Sequence, residues 1–304
     1  MSRLNSHVEL LKKIQKRAVY VFLGVFFVIA IFIYSVYFQE SSRKYLTVAF
    51  LDVGQGDSIF IEAPNGNQIL IDGGPTASVV RQLSKYIPFY DRSINMIIST
   101  HSDLDHIGGF PEIFKRYKIG KYITSDKKDS ADLYLELEKL NETEKADRIF
   151  LQSGDRIILD EKRNIYLEAL WPKDSNSAND NNDTSVVVKL IYGKKSFLLT
   201  GDASTLVESE IISYLGDDLS KSILNSDILK IGHHGSKTSS SDQFVRYVSP
   251  EYSIISVGKD NKFGHPDKEV IDFLDQEKIK ILETSIFGSI VFETDGESVW
   301  RKTN

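Results

Sequence analysis

The stretch "STHSDLDHIGG" (residues 99–109) places two histidines and two aspartates within six positions and ends on paired glycines. It follows the apolar run "INMII" (residues 94–98), which reads as a buried strand, so the four polar side chains stand at a strand's tip. Four ionisable groups that close together cannot share a buried site unless a cation balances them. The plainer reading is an exposed charged loop. Only six histidines occur in 304 residues, and finding two of them here beside two aspartates favours a metal. Strand alternation aims His101 and Asp103 the same way, and the following turn lets Asp105 and His106 join them. Gly108 and Gly109 let backbone come close without a Cβ in the way.

Two other strand ends repeat the pattern. "FLLTGDAS" (197–204) puts Asp202 behind an apolar strand and a glycine, and "DILKIGHHGS" (227–236) does the same with His233 and His234. A buried charge at a strand end is costly without a partner, so the three ends are expected to converge on one edge of the fold. Asp202 taken alone also suits the N-cap of a helix over "STLVESEI".

Outward from these motifs the chain alternates short strands with helices. "YLTVAFLDV" (45–53) and "DSIFIEAP" (57–64) read as strands, and "NQILIDGG" (67–74) follows an Asn-Gly hairpin signal. "ASVVRQLSKY" (77–86), "FPEIFKRY" (110–117) and "ADLYLELEKL" (131–140) read as helices. Residues 148–172 read as three strands separated by turns. The second half supplies strands at 185–192, 195–200, 227–232, 252–258, 279–284, 288–294 and 298–302, with helices at 204–215, 241–248 and 267–275. "KDSNSANDNNDT" (173–184) is a polar loop. Both halves begin with meandering strands and then alternate strand with helix. The expected architecture is therefore a four-layer αββα sandwich of the α/β class over residues 46–304.

The N-terminus is different. Residues 19–38, "VYVFLGVFFVIAIFIYSVYF", hold no charge and suffice to span a bilayer. Arg3, Lys12, Lys13, Lys16 and Arg17 precede them against a single Glu9, which predicts a cytoplasmic segment 1–17, an anchor over 18–38, a short linker over 39–45 and an outward-facing domain. A cleaved signal peptide is the alternative, but its apolar core is shorter and ends in small residues. The chain carries 37 basic and 43 acidic residues, a net −6; without residues 1–38 the count is 32 against 42, a net −10. An acidic domain has no general attraction for nucleic acid or anionic lipid. There are no cysteines, which excludes disulfides and thiolate ligands and leaves nitrogen and oxygen to hold any metal.

"THSDLDHIGG", "LLTGD" and "KIGHHGS" resemble the metallo-β-lactamase fold superfamily. Together with "FLDVGQGDS" (50–58) and "GHP" (264–266), they resemble more narrowly the C-terminal hydrolase domain of ComEC-type competence proteins. The resemblance implies two divalent metal ions, zinc or manganese. It gives His101 and Asp103 to one, Asp105 and His106 to the other, Asp202 as the bridge and His233 as the last ligand, with His234 in reserve. Most of the superfamily has histidine at Asp103, and a further histidine ahead of "SVVV", where this chain offers Asn181, Asn182 and Asp183. Oxygen in place of imidazole makes the first site harder and favours manganese.

The implied activity is phosphodiester hydrolysis by a metal-activated water, with DNA as the substrate and Asp105 orienting the nucleophile. Polar groups around "GHHGSKTSSSD" suit phosphate oxygens, so Asn182, His234, Ser236 and Asn261 are expected to bind substrate. His265 is expected to protonate the leaving group; "NKFGHP" (261–266) read simply as a turn is the alternative. Two other functions remain open, a cell-wall phosphodiesterase acting on teichoic acid or phosphocholine, and a non-catalytic metal-binding surface module.

Overall fold

The computed structural model describes residues 2–41, 44–125, 132–173 and 180–303. Part of the polar loop, residues 174–179, lies outside them, as do residues 42 and 43 of the expected linker. The chain divides into two units, residues 1–44 and 45–304.

The first unit is one helix, α1 (Ser2–Ser41). Its span Lys12–Ser35 has a mean hydropathy of 2.5, and none of it is buried. At 1.5 Å per residue its 24 residues cover roughly 36 Å, enough to cross a bilayer core. The expected linker from residue 39 is helical as far as Ser41, because "FQES" holds neither glycine nor proline to stop the helix.

In the second unit the strands are β1 (Leu46–Phe50), β2 (Ile59–Glu62), β3 (Gln68–Ile71), β4 (Ser93–Ser99), β5 (Lys118–Thr124), β6 (Asp147–Phe150), β7 (Arg156–Asp160), β8 (Ile165–Trp171), β9 (Val187–Tyr192), β10 (Lys195–Leu199), β11 (Ile228–Lys230), β12 (Tyr252–Ile255), β13 (Lys280–Glu283), β14 (Ile290–Thr294) and β15 (Val299–Lys302). The helices are α2 (Ser78–Leu83), α3 (Leu104–Ile107), α4 (Phe110–Arg116), α5 (Asp132–Glu144), α6 (Thr205–Leu215), α7 (Asp217–Leu224), α8 (Asp242–Val248), α9 (Lys268–Gln276) and α10 (Thr284–Phe287). Helix α7 lies where the sequence pattern assigns no element. Gly216 is its N-cap, and Asp217 and Asp218 in its first turn complement its N-terminus.

Two sheets form, in the orders β15-β14-β1-β2-β3-β4-β5-β6 and β13-β12-β11-β10-β9-β8-β7. Strand alternation divides the apolar residues into three layers. Val48, Phe50, Ile69, Ile71, Met96 and Ile98 of the first sheet meet Leu167, Val188, Leu190, Phe197, Leu199 and Ile254 of the second. On the first sheet's outer face Ala49, Leu70 and Ile97 pack against Val79, Leu83, Phe110 and Ile113 from α2 and α4. On the second sheet's outer face Leu198, Leu229 and Ile255 pack against Val207, Ile211, Phe244, Val245 and Leu274 from α6, α8 and α9. Helices outside two sheets make the expected αββα sandwich.

Strands β3 and β4 are parallel, as are β10, β11 and β12. Their C-terminal ends carry the turns that hold the site, the usual place for ligands in parallel α/β sheets. Val186 N donates to Thr100 O at 3.0 Å and ties the two sheets together at this edge.

Candidate metal centre

Strand β4 ends at Ser99, and His101 lies in the turn behind it with its side chain buried. Asp103 is the N-cap of α3, which carries Asp105 and His106. The glycines that follow have negative φ, so their need is space and not handedness. A Cβ on Gly108 would come within 2.3 Å of Pro75 O, and one on Gly109 within 2.1 Å of Gly73 O. The backbone they admit is the 73–76 loop, whose Gly73 N donates to His106 O at 2.6 Å. Gly56 does the same on the other side: its Cβ would meet Asp105 O at 2.1 Å. The metal-competent turn is thus clamped between two glycine-bearing loops.

Three imidazoles share one arrangement. His106 Nδ1 lies 2.7 Å from Asp72 Oδ2, His234 Nδ1 lies 2.9 Å from Ser256 O, and His101 Nδ1 lies 3.0 Å from Thr100 Oγ1. Each Nδ1 is engaged away from the centre, which leaves each Nε2 facing inward as a lone-pair donor. Around those atoms stand three carboxylates. Asp202 Oδ2 is 3.2 Å from His106 Nε2 and 3.5 Å from His234 Nε2, Asp105 Oδ2 is 3.1 Å from His234 Nε2, and Asp103 Oδ2 is 3.7 Å from His101 Nε2. His101 Nε2, His106 Nε2 and Asp202 Oδ1 are buried with no hydrogen-bond partner. Buried polar atoms are seldom left so. Donor atoms of His101, His106 and Asp202 lie within 4.8 Å of one another, as do those of Asp105, His106 and His234. The residues present therefore fit a divalent-cation centre with nitrogen and oxygen donors.

The electrostatics agree. Burial pushes the Asp202 carboxyl up, yet His234 and His106 outweigh it and hold it well below the carboxylate range. Burial likewise works against protonation of His234, but Asp202, Asp105 and Asp57 push it up to about 10. Asp103 is held at about 2 by the neighbouring His101. A field that draws protons onto buried imidazoles draws divalent cations for the same reason.

The structure brings His234 into the cluster and leaves His233 out. Residues 233 and 234 have φ of +46° and +55°, two consecutive left-handed residues that turn the second histidine inward. His233 Nδ1 instead meets Thr238 Oγ1 at 3.0 Å on the exposed side. Other expected contacts also fall elsewhere. The Ser236 hydroxyl is buried and accepts from Thr238 N at 3.3 Å, so it serves its own turn. Asn261 spends its whole amide on its loop: Nδ2 donates to Gly258 O and His265 O, and Oδ1 accepts from Phe263 N and His265 N. His265 sits outside the cluster, its ring 5.8 Å from that of His233. Burial pushes it below the ordinary imidazole value against the pull of Asp267. Asn182 Oδ1 is buried and unpartnered, while its neighbour Asn181 donates to Asp103 Oδ1 at 3.0 Å where relatives are expected to have histidine.

Three supporting residues are absent from the sequence expectation. Asp72, at φ +58°, accepts from Thr100 N at 2.8 Å and Thr100 Oγ1 at 2.7 Å as well as holding His106. Asp57 Oδ1 stands 3.5 Å from His234 Nδ1, and its Oδ2 pairs with the fully buried Lys230 Nζ at 2.7 Å. For Asp72 and Lys230 the signal was available in "ILIDGG" and "ILKIG", where a charge interrupts or ends an apolar run and so demands a partner, whereas Asp57 in "GQGDS" stands in a turn ahead of a strand.

Comparison with known proteins supports the same fold. The family model of the metallo-β-lactamase superfamily matches residues 51–172. ComE operon protein 3 of Bacillus subtilis is 29% identical over 267 residues, covering 81% of this chain and 32% of that protein. Recombination protein 2 of Haemophilus influenzae is 30% identical over 258 residues, covering 83% of this chain and 29% of that protein. The chain thus spans about a third of the length of these relatives. Among solved structures, the metallo-β-lactamase fold protein YhfI from Bacillus subtilis superposes with a TM-score of 0.56 at 12% identity, covering 82% of this chain and 100% of that one. With two sheets inside two helical layers and its histidines and aspartates gathered at the strand ends, the chain has the metallo-β-lactamase fold and resembles ComEC-type domains.

Proposed function

We propose that this chain is a membrane-anchored phosphodiesterase that cleaves DNA with two divalent metal ions, zinc or manganese. The observation that carries the reading is that Asp202 reaches residues of both sites: it has a donor atom within 4.8 Å of one on His101, and its Oδ2 lies 3.5 Å from His234 Nε2. In this reading His101 and Asp103 hold one ion, Asp105, His106 and His234 hold the other, and Asp202 is shared. Such a pair supplies a water acidic enough to attack a phosphodiester near neutral pH, and positive charge for the departing oxygen. The protein's part is orientation. Asp72 and Ser256 fix the His106 and His234 rings. Asp105, a third exposed, would accept a hydrogen bond from the nucleophile.

DNA is favoured by the names of two relatives, recombination protein 2 and the competence protein ComA of Neisseria gonorrhoeae, the latter 29% identical over 252 residues. The apolar span of α1 and its basic flank support an anchor with the hydrolase domain outside the cell. The net −10 of residues 39–304 weighs against a polyanion such as DNA and leaves a second reading, a zwitterionic phosphocholine ester of the cell wall. The full-length protein in detergent, stripped with chelator and reloaded with Mn²⁺ or Zn²⁺, is expected to cut DNA oligonucleotides. Cleavage of glycerol phosphodiesters but not DNA supports the second reading, and cleavage of neither overturns both.

A further inference from the structure

We infer that Phe263, backed by His265, is a stacking platform for an unpaired nucleobase, so that the substrate class of this site is single-stranded DNA. The inference rests on the phosphodiesterase reading above. Phe263 is 70% exposed although it is a large apolar side chain. Its ring lies parallel to that of His265, with 10° between the planes and 6.2 Å between centroids, an offset stack. The loop does not collapse over it, because the Asn261 amide bonds the backbone at Phe263 and twice at His265. Rings continue inward from there: His265 to His233 at 5.8 Å, and His233 to His234 at 6.1 Å. A file of flat side chains thus leads from an exposed phenyl face to a residue of the metal cluster. A strand held by a phosphate at the cluster and running along that file would bring a neighbouring base onto the exposed Phe263 face.

The chemistry of the platform selects the ligand. A teichoic acid backbone has no flat ring to stack. A base within duplex DNA already has both faces covered, and extracting it costs a few kcal/mol, about what one aromatic contact returns. An unpaired base gains the contact without that cost. Stacking is tolerant of sequence because every base has a π-face. Lys259 and Lys262, exposed and in no ion pair among the described residues, outweigh Asp260 between them and give the segment ahead of Phe263 a net +1, which eases the approach of phosphates to an otherwise acidic domain.

The test uses the full-length protein in detergent with Mn²⁺, and a labelled single-stranded phosphorothioate oligonucleotide that resists cleavage, against an abasic strand of the same length. Fluorescence anisotropy is expected to show Phe263→Ala weakening the base-bearing strand by about tenfold, Phe263→Trp restoring it, and all three proteins binding the abasic strand alike. Equal binding of both strands by the parent, or a Phe263→Ala loss shared equally by both, overturns the platform. The two claims separate cleanly. Base-dependent binding without any DNA cleavage leaves the platform standing and the phosphodiesterase reading fallen. DNA cleavage with no Phe263→Ala effect does the reverse.

Discussion

Lys230 Nζ lies 2.7 Å from Asp57 Oδ2, and both side chains are buried at the edge where the two sheets meet the metal cluster. Burial pushes the Asp57 carboxyl up, yet Lys230 and His234 outweigh it and hold it at about 2. Removing one partner of a buried ion pair strands the other charge, at a cost of roughly 3–5 kcal/mol, whereas removing both is far cheaper. Lys230→Met is therefore expected to lower stability by that amount. The double variant Lys230→Met/Asp57→Asn is expected to recover much of the loss. Denaturant melts of the two variants check this, and a double variant no more stable than Lys230→Met contradicts it.

His234 and His233 are adjacent in sequence but differ in position. His234→Ala removes an inward-facing Nε2 and is expected to cost one bound metal and activity by orders of magnitude. His233→Ala touches a ring bonded to Thr238 on the exposed side and is expected to leave metal content unchanged. Metal analysis of the two variants decides it.

Much of the site was legible because its residues follow apolar strands. "FLLTGD" ends in a metal-competent side chain and "INMIIST" and "DILKIG" run straight into one; parallel pairing aligns the ends within each sheet, and the Val186–Thr100 bond ties the two sheets at that edge. The choice between His233 and His234 was not legible: His233 was expected from the resemblance alone, and the two positive φ angles in the "GHHG" turn, which bring His234 inward, leave no mark in the residue pattern. The role of Asn261 was hidden for a related reason. An asparagine in a polar loop reads as a free contact until its four bonds to the loop backbone are seen. Asp72 and Lys230 were readable in principle, because each is a charge at the end of or within an apolar run, whereas Asp57 stands in the "GQGDS" turn and carries no such signal.

Asp103 is a half-exposed carboxylate facing His101 where the superfamily is expected to have histidine. Asp103→His replaces oxygen by nitrogen and is expected to shift preference from manganese toward zinc. Asp103→Ala is expected to lose one metal and keep the other. Zinc and manganese competition on both variants measures the shift, and an unchanged ratio and count would mean that Asp103 is a solvated turn residue.

Glu208 of α6 accepts from Ser240 N at 2.5 Å and Ser241 N at 2.8 Å, pinning the loop that carries His234. Burial pushes its carboxyl up from 4.5 to about 7 against those donors. The native state then binds a proton that the unfolded chain releases, so stability falls as pH rises from about 4.5 to about 7 and is level above. Relative to Glu208→Gln, the parent is expected to lose on the order of 3 kcal/mol across that window. Paired melts over this range check it, and a constant difference between the two proteins contradicts it.

The central claim is that His101, Asp103, Asp105, His106, Asp202 and His234 form a two-metal centre bridged by Asp202. Its most direct test is the number of divalent ions retained by the full-length protein and by Asp202→Asn after equilibration with Mn²⁺ or Zn²⁺ and removal of excess. The parent is expected to hold two equivalents, and Asp202→Asn fewer than two with its melting behaviour preserved, since the flanking core strands are untouched. A parent that retains none, or an Asp202→Asn variant that still retains two, would contradict the account.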